Sequence, residues 1–114
     1  MIRVRMLENR QGICGFLCEG HAGYAEADEA DVVCAGITAI AGTTVSALTD
    51  LLKLEVHYSF RSGHLECRVE DKPEGTKHAQ MELILETFRI GCSQIEYSYG
   101  SQYVHVEDDA LQVS

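Results

Sequence analysis

The sequence has few basic residues, little proline and no long unbroken apolar run. Lysine and arginine total 9 against 18 aspartates and glutamates, a formal charge of −9. That balance disfavours nucleic-acid binding, because phosphate contacts need a basic face. A basic protein or peptide is the better-matched partner. No stretch approaches the roughly 18 consecutive apolar residues of a membrane span, so no transmembrane helix and no membrane partner are expected. The start, Met1 to Arg5, has no apolar signal core behind it, which argues against secretion. Pro73 is the single proline, so there is no proline-rich linker. Neither a Gly-x-Gly-x-x-Gly nor a phosphate loop occurs, and no cofactor is implied.

What is present suffices for one domain over residues 1–114, with 46% hydrophobic residues to build a core. Five cysteines, Cys14, Cys18, Cys34, Cys67 and Cys92, are an odd number. Without a signal segment they read as reduced thiols of a cytoplasmic protein.

Residues 2–8 alternate in period two and read as a strand. The Asn9 to Gly12 turn leads into a second strand over 13–19. Pairing across that turn sets Val4 near Leu17 and Met6 near Gly15, with Leu7, Cys14, Phe16 and Cys18 on the other face. Residues 20–30 lack alternation and read as a mobile loop. Five acids and no lysine or arginine fall from Glu19 to Asp31.

A helix is expected from Asp31 to about Lys53, with Val33, Ile37, Ile40, Thr44, Leu48 and Leu51 on one face. Gly36 and Gly42 each cost a helix about 1 kcal/mol against alanine, which suggests close packing. Residues 55–61 and 64–70 form a hairpin about Ser62-Gly63, pairing Phe60 with Leu65, Tyr58 with Cys67 and Val56 with Val69. A second helix runs from Thr76 to about Tyr97, its apolar side drawn from Ala79, Leu83, Ile84 or Phe88, and Ile95. A last strand covers 103–106. The order ββαββαβ is met most economically by an α+β two-layer sandwich: a mostly antiparallel sheet with two helices on one face.

Cys34 falls in the first turn of the first helix if Asp31 caps it. The partial positive charge there favours a thiolate, although a free cysteine is as often a small buried hydrophobe. His21 opens the loop that leads back to this helix, so imidazole and thiol can meet as base and nucleophile. Asp31 either orients the imidazole or caps the helix. A zinc set of Cys14, Cys18, His21 and Cys34 is disfavoured. Residues four apart on a strand lie about 13 Å apart, too far to share one ion. His57 and His64 read as surface residues of the hairpin, and His78 and His105 have no evident partner. Cys67 and Cys92 read as packing.

Gly20-His21-Ala22 followed by Asp31-Val32-Val33-Cys34-Ala35-Gly36-Ile37-Thr38-Ala39 resembles the signature of the ribosomal-processing cysteine proteases, the Prp family. The resemblance extends over the whole chain in length and element order. It implies a cytoplasmic, homodimeric endopeptidase that removes an N-terminal extension from ribosomal large-subunit protein twenty-seven, cutting after an aromatic-containing motif and before a small residue. Carried over, Cys34 is the nucleophile, His21 its base and Asp31 the acidic position. Gly20, Ala22 and Thr38 are substrate-binding candidates, Thr38 standing where the family usually has serine. Two departures concern the loop. The stretch Ala27-Asp28-Glu29-Ala30 lacks the family's glycine, and the spacing from His21 to Cys34 is one residue longer.

In the implied mechanism, amides at the start of the first helix hold the oxyanion. Two other classes of function remain open at this stage. A non-catalytic acidic adaptor gripping a basic ribosomal protein has the same composition. A redox-responsive thiol would need a resolving cysteine beside Cys34, and none is adjacent in sequence.

Overall fold

The computed structural model describes residues 1–26 and 29–114. Ala27 and Asp28, which include part of the glycine-lacking stretch and one of the five loop acids, lie outside it. The elements are β1 (Ile2–Asn9), β2 (Gly12–Glu19), α1 (Val32–Ser46) continued by a π-helical turn (Ala47–Leu51), β3 (Val56–Arg61), β4 (His64–Val69), α2 (Gly75–Tyr99), β5 (Val104–Val106) and β6 (Leu111–Gln112). The sheet order is β3-β4-β2-β1-β5, with β6 also paired to β1. β1 to β4 pair antiparallel; β5 and β6 each run parallel to β1. The expected α+β sandwich is the observed fold, with the two-residue β6 added.

One face of the sheet carries the core. Ile2, Val4 and Met6 of β1, Phe16 and Cys18 of β2, and Cys67 and Val69 of β4 are buried with Val33, Ile37 and Ala41 of α1 and Leu85, Phe88 and Cys92 of α2. Alternate residues of each strand take part, so both helices cover the same face. At the centre Phe16 and Phe88 stack with ring centroids 3.9 Å apart.

The β3–β4 register is the expected one at every pair: Phe60 faces Leu65, Tyr58 faces Cys67 and Val56 faces Val69. The β1–β2 register needs a correction. Near the turn Glu8 faces Ile13, but further out Val4 faces Cys18 and Met6 faces Phe16. Cys14 is an extra residue on β2, a bulge that advances the register by one. Val4 and Met6 therefore share the core face with Phe16 and Cys18.

Both helices also depart from simple periodicity. The π turn inserts a residue per turn and rotates the end of the first helix, so Leu51 is 74% exposed while Leu48 is fully buried. Lys53, at φ +57, then ends the helical run in the left-handed region. A Cβ on Gly36 would touch Ile95 at 3.3 Å, in line with close packing, whereas Gly42 faces open space. In α2 the buried line is Met81, Leu85, Phe88 and Cys92; Ala79 is exposed and Leu83 is 69% exposed.

The helical stretch Val32–Leu51 has a mean hydropathy of 1.7, long and apolar enough by composition to cross a membrane. The stretch is not an unbroken apolar run, being interrupted by four threonines, a serine and Asp50. Here its buried line, Val33, Ile37, Ala41 and Leu48, lies in the core shared with the sheet.

Candidate active site

The site forms where the end of β2, the start of α1 and the tip of the β3–β4 hairpin converge. β2 pairs with β4 up to Glu19↔His64, and the Gly20 amide donates to the Gly63 carbonyl at 3.0 Å. The hairpin tip is thus held beside the residue that precedes His21. Gly20 has φ +102, and a Cβ there would collide with the Met1 carbonyl oxygen. Only glycine fits both the angle and the contact.

His21 and Cys34 line one cleft of about 360 Å³, together with Ile37, Thr38, Phe60 and Leu65. His21 is exposed and Cys34 half-buried. The Ala22 amide donates to Cys34 Sγ at 3.4 Å, so a backbone dipole points at the sulfur. The other four thiols are buried. Burial pushes the Cys67 and Cys92 thiols up to about 12, and raises Cys18 and Cys14 as well. Those four stay protonated at neutral pH, Cys18 included although it borders the cleft. A limiting amount of iodoacetamide on the native protein is therefore expected to label Cys34 alone. Peptide mapping checks this, and early label at Cys18 or Cys67 would contradict it.

Asp31 is the cap. One carboxylate oxygen accepts the Val33 and Cys34 amides at 3.0 and 3.1 Å. The other accepts Tyr24 and Ala25 at 2.9 and 3.3 Å. Partial desolvation would raise its pKa, but the Cys34, Ala25, Tyr24 and Val33 amides outweigh that and hold the carboxyl below its ordinary value. No contact from Asp31 to the His21 imidazole is made, so of its two expected roles the structure has the cap. Tyr24 is further held edge-on to Tyr99 and Tyr103, with centroids 5.2 and 5.1 Å away. The described part of the loop is thus tied at both ends rather than free.

Asp31→Ala is expected to cost about 1–2 kcal/mol, as loss of a helix cap does, and to release Tyr24 and Ala25. A lowered carboxylate pKa contributes stability that is complete above the unfolded value near 3.8 and is lost as pH falls through the lower native value. The gap between wild type and variant should therefore close in strong acid. Denaturant titrations at pH 7 and at successively lower pH below 3.8 check both statements.

Of the helix amides expected to hold an oxyanion, those of Val33, Cys34 and Ala35 are occupied. Val33 and Cys34 donate to Asp31 Oδ1, and Ala35 donates to the Asp31 carbonyl at 3.0 Å. The Ala22 side chain is 2% exposed and belongs to the core, which leaves its backbone as the part that faces the site. Gly20 and Thr38 do line the cleft, and the Thr38 hydroxyl donates to the Cys34 carbonyl at 2.8 Å.

Three histidines need correction. His64 pairs with Glu66 at 3.3 Å and borders the cleft. His78 pairs with Glu82 at 3.1 Å, and His105 with Glu96 at 3.0 Å. What sequence reasoning missed is the hairpin tip, Phe60 to Leu65, as one wall of the cleft. No local signal marks it; only the long-range β2–β4 pairing brings it there.

An imidazole and a half-buried thiol line one cleft of a small α+β sandwich, the pair of groups that cysteine hydrolases use. The chain belongs to the Cysteine protease Prp family, whose model matches residues 1–105. It is 30% identical over 102 residues to the ribosomal processing cysteine protease Prp of Staphylococcus aureus strain Mu50, covering 87% of this chain and 92% of that protein. Crystal structures of the essential S. aureus Prp are similar. The complex with a covalently linked product peptide has TM-score 0.77 and 27% identity; the substrate-peptide complex has TM-score 0.73 and 26% identity. Each match covers 94% of this chain and 98% of that one. A Streptococcus mutans protein shares the fold with TM-score 0.72 at 18% identity, covering 99% of this chain and 96% of its own.

Proposed function

We propose that this chain is an endopeptidase that removes the N-terminal extension of ribosomal large-subunit protein twenty-seven, with Cys34 as nucleophile and His21 as general base. The observation that carries the reading is that His21 and Cys34 line one cleft, with the Ala22 amide donating to the sulfur. Family membership and the peptide complexes of the S. aureus relative support the reaction type.

His21 takes the Cys34 proton and the sulfur attacks the scissile carbonyl. The Ala22 amide, held on the sulfur and outside the Asp31 cap, is assigned to the developing oxyanion. The carbon–nitrogen bond breaks, His21 returns the proton to the leaving amine, and an acyl thioester remains on Cys34. Water, deprotonated by His21, then releases the new carboxylate and restores the thiol.

The cleft itself is lined by no aspartate or glutamate among the described residues, while Glu26 and Glu29 are exposed on the loop. The acidic loop is thereby suited to attract a basic ribosomal protein outside the reacting centre. A homodimer with reduced thiols in the cytoplasm completes the reading, and five free cysteines accord with it.

The test is incubation with the extended ribosomal protein, with products read by mass. A single cut that leaves the mature N-terminus is expected. Tight binding without cleavage, undiminished in Cys34→Ser, would establish the adaptor instead.

A further inference from the structure

Among the described residues, the cleft supplies no carboxylate to orient the His21 imidazole. Asp31 is committed to four amides, and the cleft lining contains no other acid among the described residues. What meets the ring is a turn. A Cβ added to Gly63 would lie 2.9 Å from His21 Nε2 and 3.4 Å from both Cδ2 and Cε1. Those atoms are Nε2 and its two ring neighbours, so one edge of the imidazole sits where a side chain on Gly63 would have to go. The Gly63 carbonyl also holds the Gly20 amide, one residue before His21. The turn therefore touches both the ring and the backbone that carries it.

We propose that Gly63 is a positioning residue for the His21 base, supplying by close packing the orienting part of what a third, acidic residue does in a Cys-His-carboxylate arrangement. The proposal rests on the reading of His21 as the base. Glycine is needed here for two separable reasons. Its φ of +74 lies in the left-handed region, which asparagine also enters. Its missing Cβ leaves the space the ring occupies, which no other residue does. Moving a catalytic group by about 1 Å costs on the order of 10²-fold in rate.

Gly63→Asn separates the two reasons, because the turn survives while the Cβ displaces the ring. Peptide cleavage and iodoacetamide alkylation of Cys34 at neutral pH are measured in wild type, Gly63→Asn, His21→Ala and the double variant. The expected result is a fall of about 10²-fold in kcat for Gly63→Asn, with KM little changed. The double variant should be no slower than His21→Ala, in cleavage or in alkylation, because the turn acts only through the ring.

A wild-type kcat in Gly63→Asn, with His21→Ala impaired, overturns the positioning role and leaves the base reading intact. A double variant well below His21→Ala also overturns it, since the turn would then act independently of the ring. A His21→Ala variant that cleaves at the wild-type rate removes the underlying reading. Should Gly63→Asn fail to fold, nuclear Overhauser contacts in the wild type decide. His21 ring protons should reach the Gly63 α-protons, and their absence contradicts the proposal.

Discussion

Cys34→Ala keeps the fold and cleaves no extended ribosomal peptide. The side chain is half-buried at the start of α1 and only packs against the core from outside, so alanine removes one sulfur without opening a large cavity. No other thiol can substitute. The remaining four are buried, and burial holds them protonated. His21→Ala should leave slow cleavage, lower by roughly 10²- to 10⁴-fold, the usual contribution of general acid–base help. Combining the two substitutions should cost no more than Cys34→Ala alone, because the pair acts as a unit. Product masses over time, with thermal melts of each variant, check these statements. Wild-type cleavage by Cys34→Ala would refute the nucleophile.

Phe88→Ala is expected to have the largest effect on stability. Phe88 is 1% exposed and Phe16 is fully buried, and their rings stack 3.9 Å apart, 18° from parallel, at the junction of α2 and β2. Truncation removes the aromatic contact and leaves a void that the close-packed layer fills only in part. Such changes cost about 3–5 kcal/mol, a large share of the roughly 5–15 kcal/mol that holds a domain together. Phe88→Leu should recover much of the loss. Urea unfolding measures both, and a cost for Phe88→Ala no greater than that of an exposed site such as Leu83→Ala would contradict the packing account.

The hairpin register was fully readable, because Ser62-Gly63 leaves one turn and period two then fixes every pair. The β1–β2 register was readable only next to its turn. Cys14 looks like any strand residue, and nothing local announces that it will bulge out. The faces of the helices were half readable for the same reason. In α2 two apolar lines coexist, Met81-Leu85-Phe88-Cys92 and Leu83-Ile90-Tyr97. Packing buries the first and leaves Leu83, Ile90 and Tyr97 exposed. At the site, the signature picked out Cys34, His21 and Asp31, and the local cap of Asp31 followed from its position before the helix. The Ala22 amide on the sulfur and the Gly63 turn under the imidazole were not readable. Both depend on where a distant strand delivers a backbone, and backbone atoms leave no mark in residue type.

The chemistry turns on whether the substrate becomes covalently attached to Cys34. Rapid acid quench during cleavage, followed by intact mass measurement and peptide mapping, observes this directly. The expected result is a thioester adduct whose added mass equals the N-terminal fragment of the substrate, placed on Cys34 and absent from Cys34→Ala. Cleavage that proceeds with no adduct on Cys34 and persists in Cys34→Ala would contradict the mechanism.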